Sequence, residues 1–275
     1  QSPSSAASDV YKRQAYVIAH LAQQQSLANT TFITASAGNH GLSVAAGAKT
    51  FGAKSVVYLS HTVPETFAEK LRLQGAKVCR KGNDYEASMT AAAKAATVNS
   101  WVLLSDSSWP GNTELPRRLM EGYLVMAAEI VKQMTSAPTH IFLQAGVGGL
   151  AAACAAYFRS TWVDAPNITV VEPEAAPALH DAIQAGRVVS ATGPVSSMGR
   201  LDCKEASMIA LNGLARDADR FVLLSDDEVE DVMPNLADLG MATTPSGGAG
   251  LAAALLGKVD LPSDARILVI LSEEA

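Results

Sequence analysis

Charge is scarce in this chain and aromatic residues are scarcer: 17% of residues are Asp, Glu, Lys or Arg, and 5% are Phe, Trp or Tyr. With 48% hydrophobic residues beside so few charges, a disordered chain is excluded. No cluster of Lys and Arg occurs and the net charge is −6, which excludes a nucleic-acid footprint and favours a small ligand. The three cysteines, Cys79, Cys154 and Cys203, are widely spaced and odd in number. They form neither a disulfide framework nor a zinc pattern, and they read as reduced thiols of a cytoplasmic protein. His40, His61, His140 and His180 lack metal-ligand spacing, so no metal is assigned. The longest apolar run, around Leu150 to Phe158, is too short to span a bilayer.

What is present is a globular chain of 275 residues, enough for one large or two modest domains. Residues 1–14 are rich in Ser and Ala and lack the apolar centre of a signal peptide. Asp9 to Gln14 reads like a translated sequencing-library adapter, so the chain is expected to be a fragment whose natural start is missing. A natural polar tail is the alternative. Beyond it, short apolar strands alternate with helices across Gly-marked turns, which predicts parallel sheets flanked by helices. Predicted strands include Thr31 to Thr34, Ser55 to Leu59, Trp101 to Leu104, Ile141 to Leu143, Ile168 to Val171 and Ile267 to Leu271. The expected fold is α/β, two three-layer lobes with mostly parallel sheets. The small lobe is placed at 31–113, and the large lobe at 15–30 plus 114–275. No internal repeat of fixed period is visible.

Two strand-to-helix turns stand out. The first is Thr34-Ala35-Ser36-Ala37-Gly38-Asn39-His40-Gly41, after the strand Thr31-Phe32-Ile33. The second is Gln144-Ala145-Gly146-Val147-Gly148-Gly149, after His140-Ile141-Phe142-Leu143. A helix start leaves backbone N–H groups without partners, and these carry partial positive charge that suits a carboxylate or phosphate. Two such cradles suggest a ligand with two anionic ends. Read alone, each turn also fits a plain structural role: Asn39 in a left-handed turn position, and the glycines in close helix–strand packing.

The Ser-Ala-Gly-Asn-His-Gly and Gly-Val-Gly-Gly-Leu segments together resemble the fold-type II pyridoxal-phosphate enzymes, the tryptophan synthase β-like group. The resemblance implies pyridoxal 5'-phosphate as cofactor. It implies that Asn39 contacts the cofactor's phenolic oxygen, and that N–H groups of Ser36, Ala37, Gly38 and His40 hold the substrate carboxylate. Gly146, Val147, Gly148 and Gly149 would then cradle the phosphate. Ser272 matches the hydroxyl or thiol residue that the family sets against the pyridine nitrogen. A strand-end serine in a turn is the plainer reading.

Further segments resemble diaminopropionate ammonia-lyase within that group: Ser105-Asp106-Ser107-Ser108-Trp109-Pro110-Gly111, Met198-Gly199-Arg200-Leu201-Asp202-Cys203-Lys204-Glu205, and Thr244-Pro245-Ser246-Gly247-Gly248-Ala249. Asp106 matches an acidic active-site residue of that lyase, able to act as a base or to bind the substrate's second ammonium. A turn or N-cap role is its alternative. Ala37 stands where the family places its other acid, the base proposed for the D-isomer. Ser272-Glu273-Glu274 stands where the lyase pattern has Thr-Glu-Gly. The family's Schiff-base lysine lies in a Phe-Lys turn just upstream of the helix starting near Ala15, and no matching lysine is present; Lys12 is the nearest and sits too close. The resemblance thus implies a carbon–nitrogen lyase of the ammonia-lyase type as the parent protein, with this chain inactive by itself. Its substrate would be a small amino acid, 2,3-diaminopropionate, and its expected assembly a homodimer. A serine or threonine dehydratase is the alternative enzyme, and a non-catalytic binding protein on the same scaffold is the alternative of another class.

Overall fold

The computed structural model describes residues 16–273. Residues 1–14, Lys12 among them, and Glu274 lie outside the described residues. The chain divides into two compact units. One holds residues up to Asp106 together with Glu114–Gly122, and the other holds Ser107–Thr113 and Tyr123 onward.

The first unit is built on a parallel four-stranded sheet of order β3-β2-β1-β4, with β1 (Thr31–Ala35), β2 (Lys54–Leu59), β3 (Lys77–Arg80) and β4 (Val102–Leu103). Between these strands run α2 (Asn39–Thr50), α3 (Glu65–Leu73) and α4 (Tyr85–Asn99). Helix α4 begins where the Asp84 carboxylate accepts the Ala87 N–H at 2.7 Å, and ends at Ser100 with φ +55°. The sheet is buried on both faces, so β1 reads as a continuous apolar run, and Phe32 and Ile33 are fully buried. A side chain of that size contributes roughly 1.5–3 kcal/mol on burial.

Helix α1 (residues 16–24) belongs to this unit. The sequence reading set 15–30 with the other lobe. Instead Val17 and Ile18 are fully buried against Leu27, Phe32, Val44, Leu104 and Leu119. The first turns of α5 (Glu114–Gln133) join the same core through Leu115 and Leu119.

The second unit repeats the architecture with a parallel sheet of order β7-β6-β5-β8: β5 (His140–Gln144), β6 (Asn167–Pro173), β7 (Arg220–Leu224) and β8 (Ile267–Val269). Its helices are α6 (Gly149–Trp162), α7 (Ala178–Ala185), α8 (Met208–Asp217), α9 (Asp226–Asp238) and α10 (Pro245–Leu255). Helix α9 opens with a complete capping box between Ser225 and Glu228.

Two boundaries differ from expectation. Thr244-Pro245-Ser246-Gly247-Gly248 was expected to be a turn before a helix from Ala249, but it forms the first turn of α10. Thr244 caps it by accepting the Gly247 N–H at 3.0 Å, and Pro245 occupies the first turn, where its missing N–H costs nothing. The glycines serve close packing: a Cβ on Gly247 would lie 2.7 Å from Thr243 Oγ1 and 2.8 Å from Glu273 Cβ. The last strand stops at Val269 rather than Leu271, so Ser272 follows the strand instead of ending it. No helix among the described residues is long and apolar enough to cross a membrane.

Candidate active site

In the first unit, β1 stops at Ala35 and α2 starts at Asn39, leaving Ser36, Ala37 and Gly38 as the turn. Asn39 is therefore helical, and the left-handed alternative for it does not occur. No side chain caps α2, and its first internal bond runs from the Leu42 N–H to Gly38 O at 3.5 Å. The N–H groups of Asn39, His40 and Gly41 thus precede the helix's own ladder. The Gly38 N–H is drawn to Ser36 Oγ at 3.2 Å. Gly41 is required by proximity, because a Cβ there would lie 2.8 Å from Ser36 O. Ala37 is exposed and Asn39 half-buried, and the Asn39 side chain has no hydrogen-bond partner among the described residues.

His40 turns its ring inward. Nε2 lies 2.9 Å from Leu104 O and 3.1 Å from Thr34 Oγ1. A carbonyl only accepts, so Nε2 carries a proton, and this nitrogen is committed to tying α2 to the ends of β1 and β4.

Strand register brings Asp106 to the same edge. Ile33 pairs with Leu103 in parallel, so β1 and β4 run out at one edge of the sheet, with Ser36 following β1 and Asp106 three residues past β4. Asp106 is half-buried, and Tyr85, in the first turn of α4, donates its hydroxyl to Asp106 Oδ1 at 2.9 Å. The start of α2 and a carboxylate oriented by Tyr85 therefore both follow the same edge of this sheet. The sequence reading missed Tyr85, because nothing local in Asn83-Asp84-Tyr85 points to a partner twenty-one residues on.

In the second unit the turn after β5 packs tightly. A Cβ on Gly146 would lie 3.1 Å from both Arg200 O and Cys203 Sγ, so the Arg200–Cys203 segment backs this turn. Gly148 has φ +96°, and a Cβ there would meet Leu179 at 3.0 Å. It is the N-cap of α6, which no side chain caps. The Ala152 N–H makes the helix's first internal bond, to Gly148 O at 2.9 Å. The N–H groups at the start of α6, which no side chain caps, suit phosphate oxygens.

Ser272 lies at this same edge. Phe142 pairs with Val269, the last residue of β8, and Ser272 follows three residues on. Gln144 Nε2 lies 3.1 Å from Ser272 Oγ, 2.8 Å from Ile270 O and 3.1 Å from Gly247 O. Next to Ser272, the Glu273 carboxylate is held by the Thr244 hydroxyl and by Arg200. Gln144 and this Thr244–Glu273–Arg200 cluster were not anticipated; their partners are far apart in sequence.

One other buried group stands behind this sheet. Glu172, on β6, is wholly buried and accepts the N–H groups of Leu179 at 2.7 Å and His180 at 2.8 Å. Burial pushes its carboxyl up to about 8 against the pull of those two amides, with Asp181 adding to the rise. No group of metal-ligating side chains occurs among the described residues.

The sequence profile of the family described as "Pyridoxal-phosphate dependent enzyme" matches residues 10–273. A diaminopropionate ammonia-lyase of Salmonella typhimurium is 34% identical over 212 residues, covering 74% of this chain and 52% of that protein. An L-threonine ammonia-lyase of Geobacter sulfurreducens is 26% identical over 228 residues, covering 82% of this chain and 54% of that protein. The chain thus spans about half the length of these curated relatives. A crystal structure of diaminopropionate ammonia lyase from Escherichia coli, in complex with a reaction intermediate on pyridoxal phosphate, superposes with a TM-score of 0.87 at 26% identity. It covers 97% of this chain and 76% of that one.

Proposed function

Since the chain belongs to the pyridoxal-phosphate-dependent enzyme family, we propose that its parent protein is an ammonia-lyase that converts 2,3-diaminopropionate and water into pyruvate and two molecules of ammonia. The observation that carries this reading is that the Tyr85-held Asp106 and the start of α2, which no side chain caps, follow the same edge of the first sheet. A carboxylate beside an anion cradle matches a substrate with one carboxylate and an extra ammonium, and a hydroxy amino acid gives Asp106 no cation to bind.

The residues present fit the cofactor. The start of α6 has no side-chain cap, so N–H groups at its first turn are of the kind that receives a phosphate dianion. When bound, pyridoxal phosphate supplies an electron sink for negative charge at the substrate α-carbon. The chain's own residues divide the remaining work. In the second unit, Gly146 to Gly149 and the α6 N–H groups would hold the phosphate, and Ser272 would meet the ring nitrogen. In the first unit, the Asn39 side chain would meet the phenolic oxygen, and the N–H groups around Gly38 and His40 would orient the substrate carboxylate. Asp106, steadied by Tyr85, accepts a proton or holds the β-ammonium. The lysine that the family uses as base has no counterpart among the described residues of this chain.

Ala37, at the position of the family's second acid, favours the L-isomer and leaves an L-serine or L-threonine dehydratase as the second reading. The test is to recover the upstream coding sequence, purify the complete protein, and measure pyruvate release. The substrates are L- and D-2,3-diaminopropionate, L-serine and L-threonine. Diaminopropionate is expected to exceed both hydroxy amino acids by roughly 100-fold or more in kcat/KM, because they leave the acidic subsite unfilled. Turnover of serine or threonine at equal or greater efficiency would replace the first reading with the second.

A further inference from the structure

We infer that Ser207 is a positioning residue: its backbone N–H holds the Val147 carbonyl so that the Gly148 N–H faces a phosphate, and Ser108 in turn holds Ser207. The inference rests on the cofactor reading above, in which the turn between β5 and α6 receives the phosphate. The Ser207 N–H donates to Val147 O at 3.0 Å. The Val147 carbonyl and the Gly148 N–H belong to one planar trans peptide, in which the two groups point in opposite directions. Fixing the carbonyl toward the start of α8 therefore aims the Gly148 N–H away from that helix. Gly148 is buried, yet its N–H has no hydrogen-bond partner among the described residues. Orphaned buried N–H groups are rare in folded chains, so this one marks a place where a ligand's acceptor belongs.

Ser207 is itself held by a residue far off in sequence. It stands at the N-cap of α8, but its hydroxyl does not cap that helix. Ser108, ninety-nine residues earlier, receives the first N–H groups instead. Met208 N–H donates to Ser108 O at 3.0 Å, and Ile209 N–H donates to Ser108 Oγ at 2.9 Å. The Ser207 hydroxyl is thereby left to accept the Ser108 N–H at 3.1 Å, and it lies 2.8 Å from Ser108 Oγ. Ser108 is 3% exposed and Ser207 is fully buried, so water does not compete for these bonds. A helix start capped in this way cannot shift without the loop that caps it, and the Val147 carbonyl is tied to that helix start.

The test compares two ligands on the 275-residue chain: pyridoxamine phosphate, which needs no lysine to bind, and pyridoxamine, which lacks the phosphate. Wild type should bind the former at least about 100-fold more tightly, because a dianion in this turn takes several charge-assisted hydrogen bonds. Ser207→Pro removes the backbone N–H, and the φ of −63° already suits a proline ring. It also loses the hydroxyl, so Ser207→Ala, which keeps the N–H, is its control. The proline variant should bind pyridoxamine phosphate about 10-fold more weakly than the alanine variant, the worth of one hydrogen bond to a charged group, with their pyridoxamine affinities within about 2-fold. Ser108→Ala, which keeps every backbone group, should weaken pyridoxamine phosphate alone, by about 3-fold. Equal pyridoxamine phosphate affinities of the two Ser207 variants, equal weakening of both ligands, or a full wild-type preference in Ser108→Ala overturns the inference and spares the cofactor reading. A wild-type chain with no preference for the phosphate-bearing ligand overturns the cofactor reading and the inference with it. A second measurement needs no variant: in chain labelled with nitrogen-15 glycine, the Gly148 amide proton should move downfield as pyridoxamine phosphate binds. A Gly148 signal that stays in place while those of Gly146 or Gly149 move overturns the assignment.

Discussion

Single residues here are placed by partners that lie far off in sequence. Tyr85 holds Asp106, His40 reaches Leu104, and Gln144 reaches Ser272. Glu172 is the case with the clearest consequence. Its carboxyl is raised from 4.5 to about 8, chiefly by burial. Between those values the folded chain keeps a proton that the unfolded chain has released. The stabilisation is fully present below 4.5 and is lost as pH rises through about 8. From about pH 6 to pH 8 the chain should lose roughly 2 kcal/mol from this group. Urea midpoints of wild type and Glu172→Gln across that range check it. The Gln variant will be less stable overall, because its NH₂ faces an amide donor, but its pH slope should be flatter. Parallel slopes for the two proteins would remove Glu172 as the cause. Glu65 and Glu228, lowered by Arg80 and Lys258 respectively, act with the opposite sign and only at more acid pH.

At the scale of elements, most of the architecture was legible in the sequence. Strands buried on both faces are short apolar runs, and helices end at Gly52, Gly75 and Gly186, so the βα alternation and the parallel sheets could be read directly. Both glycine turns were legible as well, since strand, small residues and helix occur in order. What could not be read was any feature set by packing across the sheet. Helix α1 carries no signal for which core it joins. The Pro-Ser-Gly-Gly start of α10 has turn chemistry locally, and only the approach of Thr243 and Glu273 explains glycines inside a helix. That helix start yields a test. Thr244 both caps α10 and donates to Glu273. Thr244→Ala should cost about 1–2 kcal/mol in a urea melt, whereas Thr244→Ser, which keeps the hydroxyl, should stay within about 0.5 kcal/mol of wild type. Equal losses in the two variants would mean that the methyl group matters and the cap does not.

For the whole molecule, the decisive chemistry is that of its lysines. The family's reaction needs a primary amine that can bond covalently to the cofactor, and such an amine must be held near the turn and not spent on other partners. Lys49, Lys54, Lys70, Lys77, Lys81, Lys94 and Lys132 are exposed. Lys258 is half-buried but paired with Glu228 at 2.6 Å. Lys204, the one described lysine in a segment backing the turn between β5 and α6, donates to Ala175 O and Pro194 O, each at 2.8 Å, and to Asp202 at 2.6 Å. These three hydrogen bonds tie its nitrogen to the Ala175, Pro194 and Asp202 segments. Pyridoxal phosphate added to this chain and then reduced with borohydride should therefore leave only scattered label on surface lysines. Peptide mapping should find Lys204 unmodified, and 2,3-diaminopropionate should yield no pyruvate. Extending the chain upstream to a Phe-Lys turn should convert that scatter into one stoichiometric label on the new lysine, with pyruvate release appearing alongside it. Stoichiometric labelling of Lys204 in the 275-residue chain, with turnover, would show that a residue read here as a structural cation is the reacting amine.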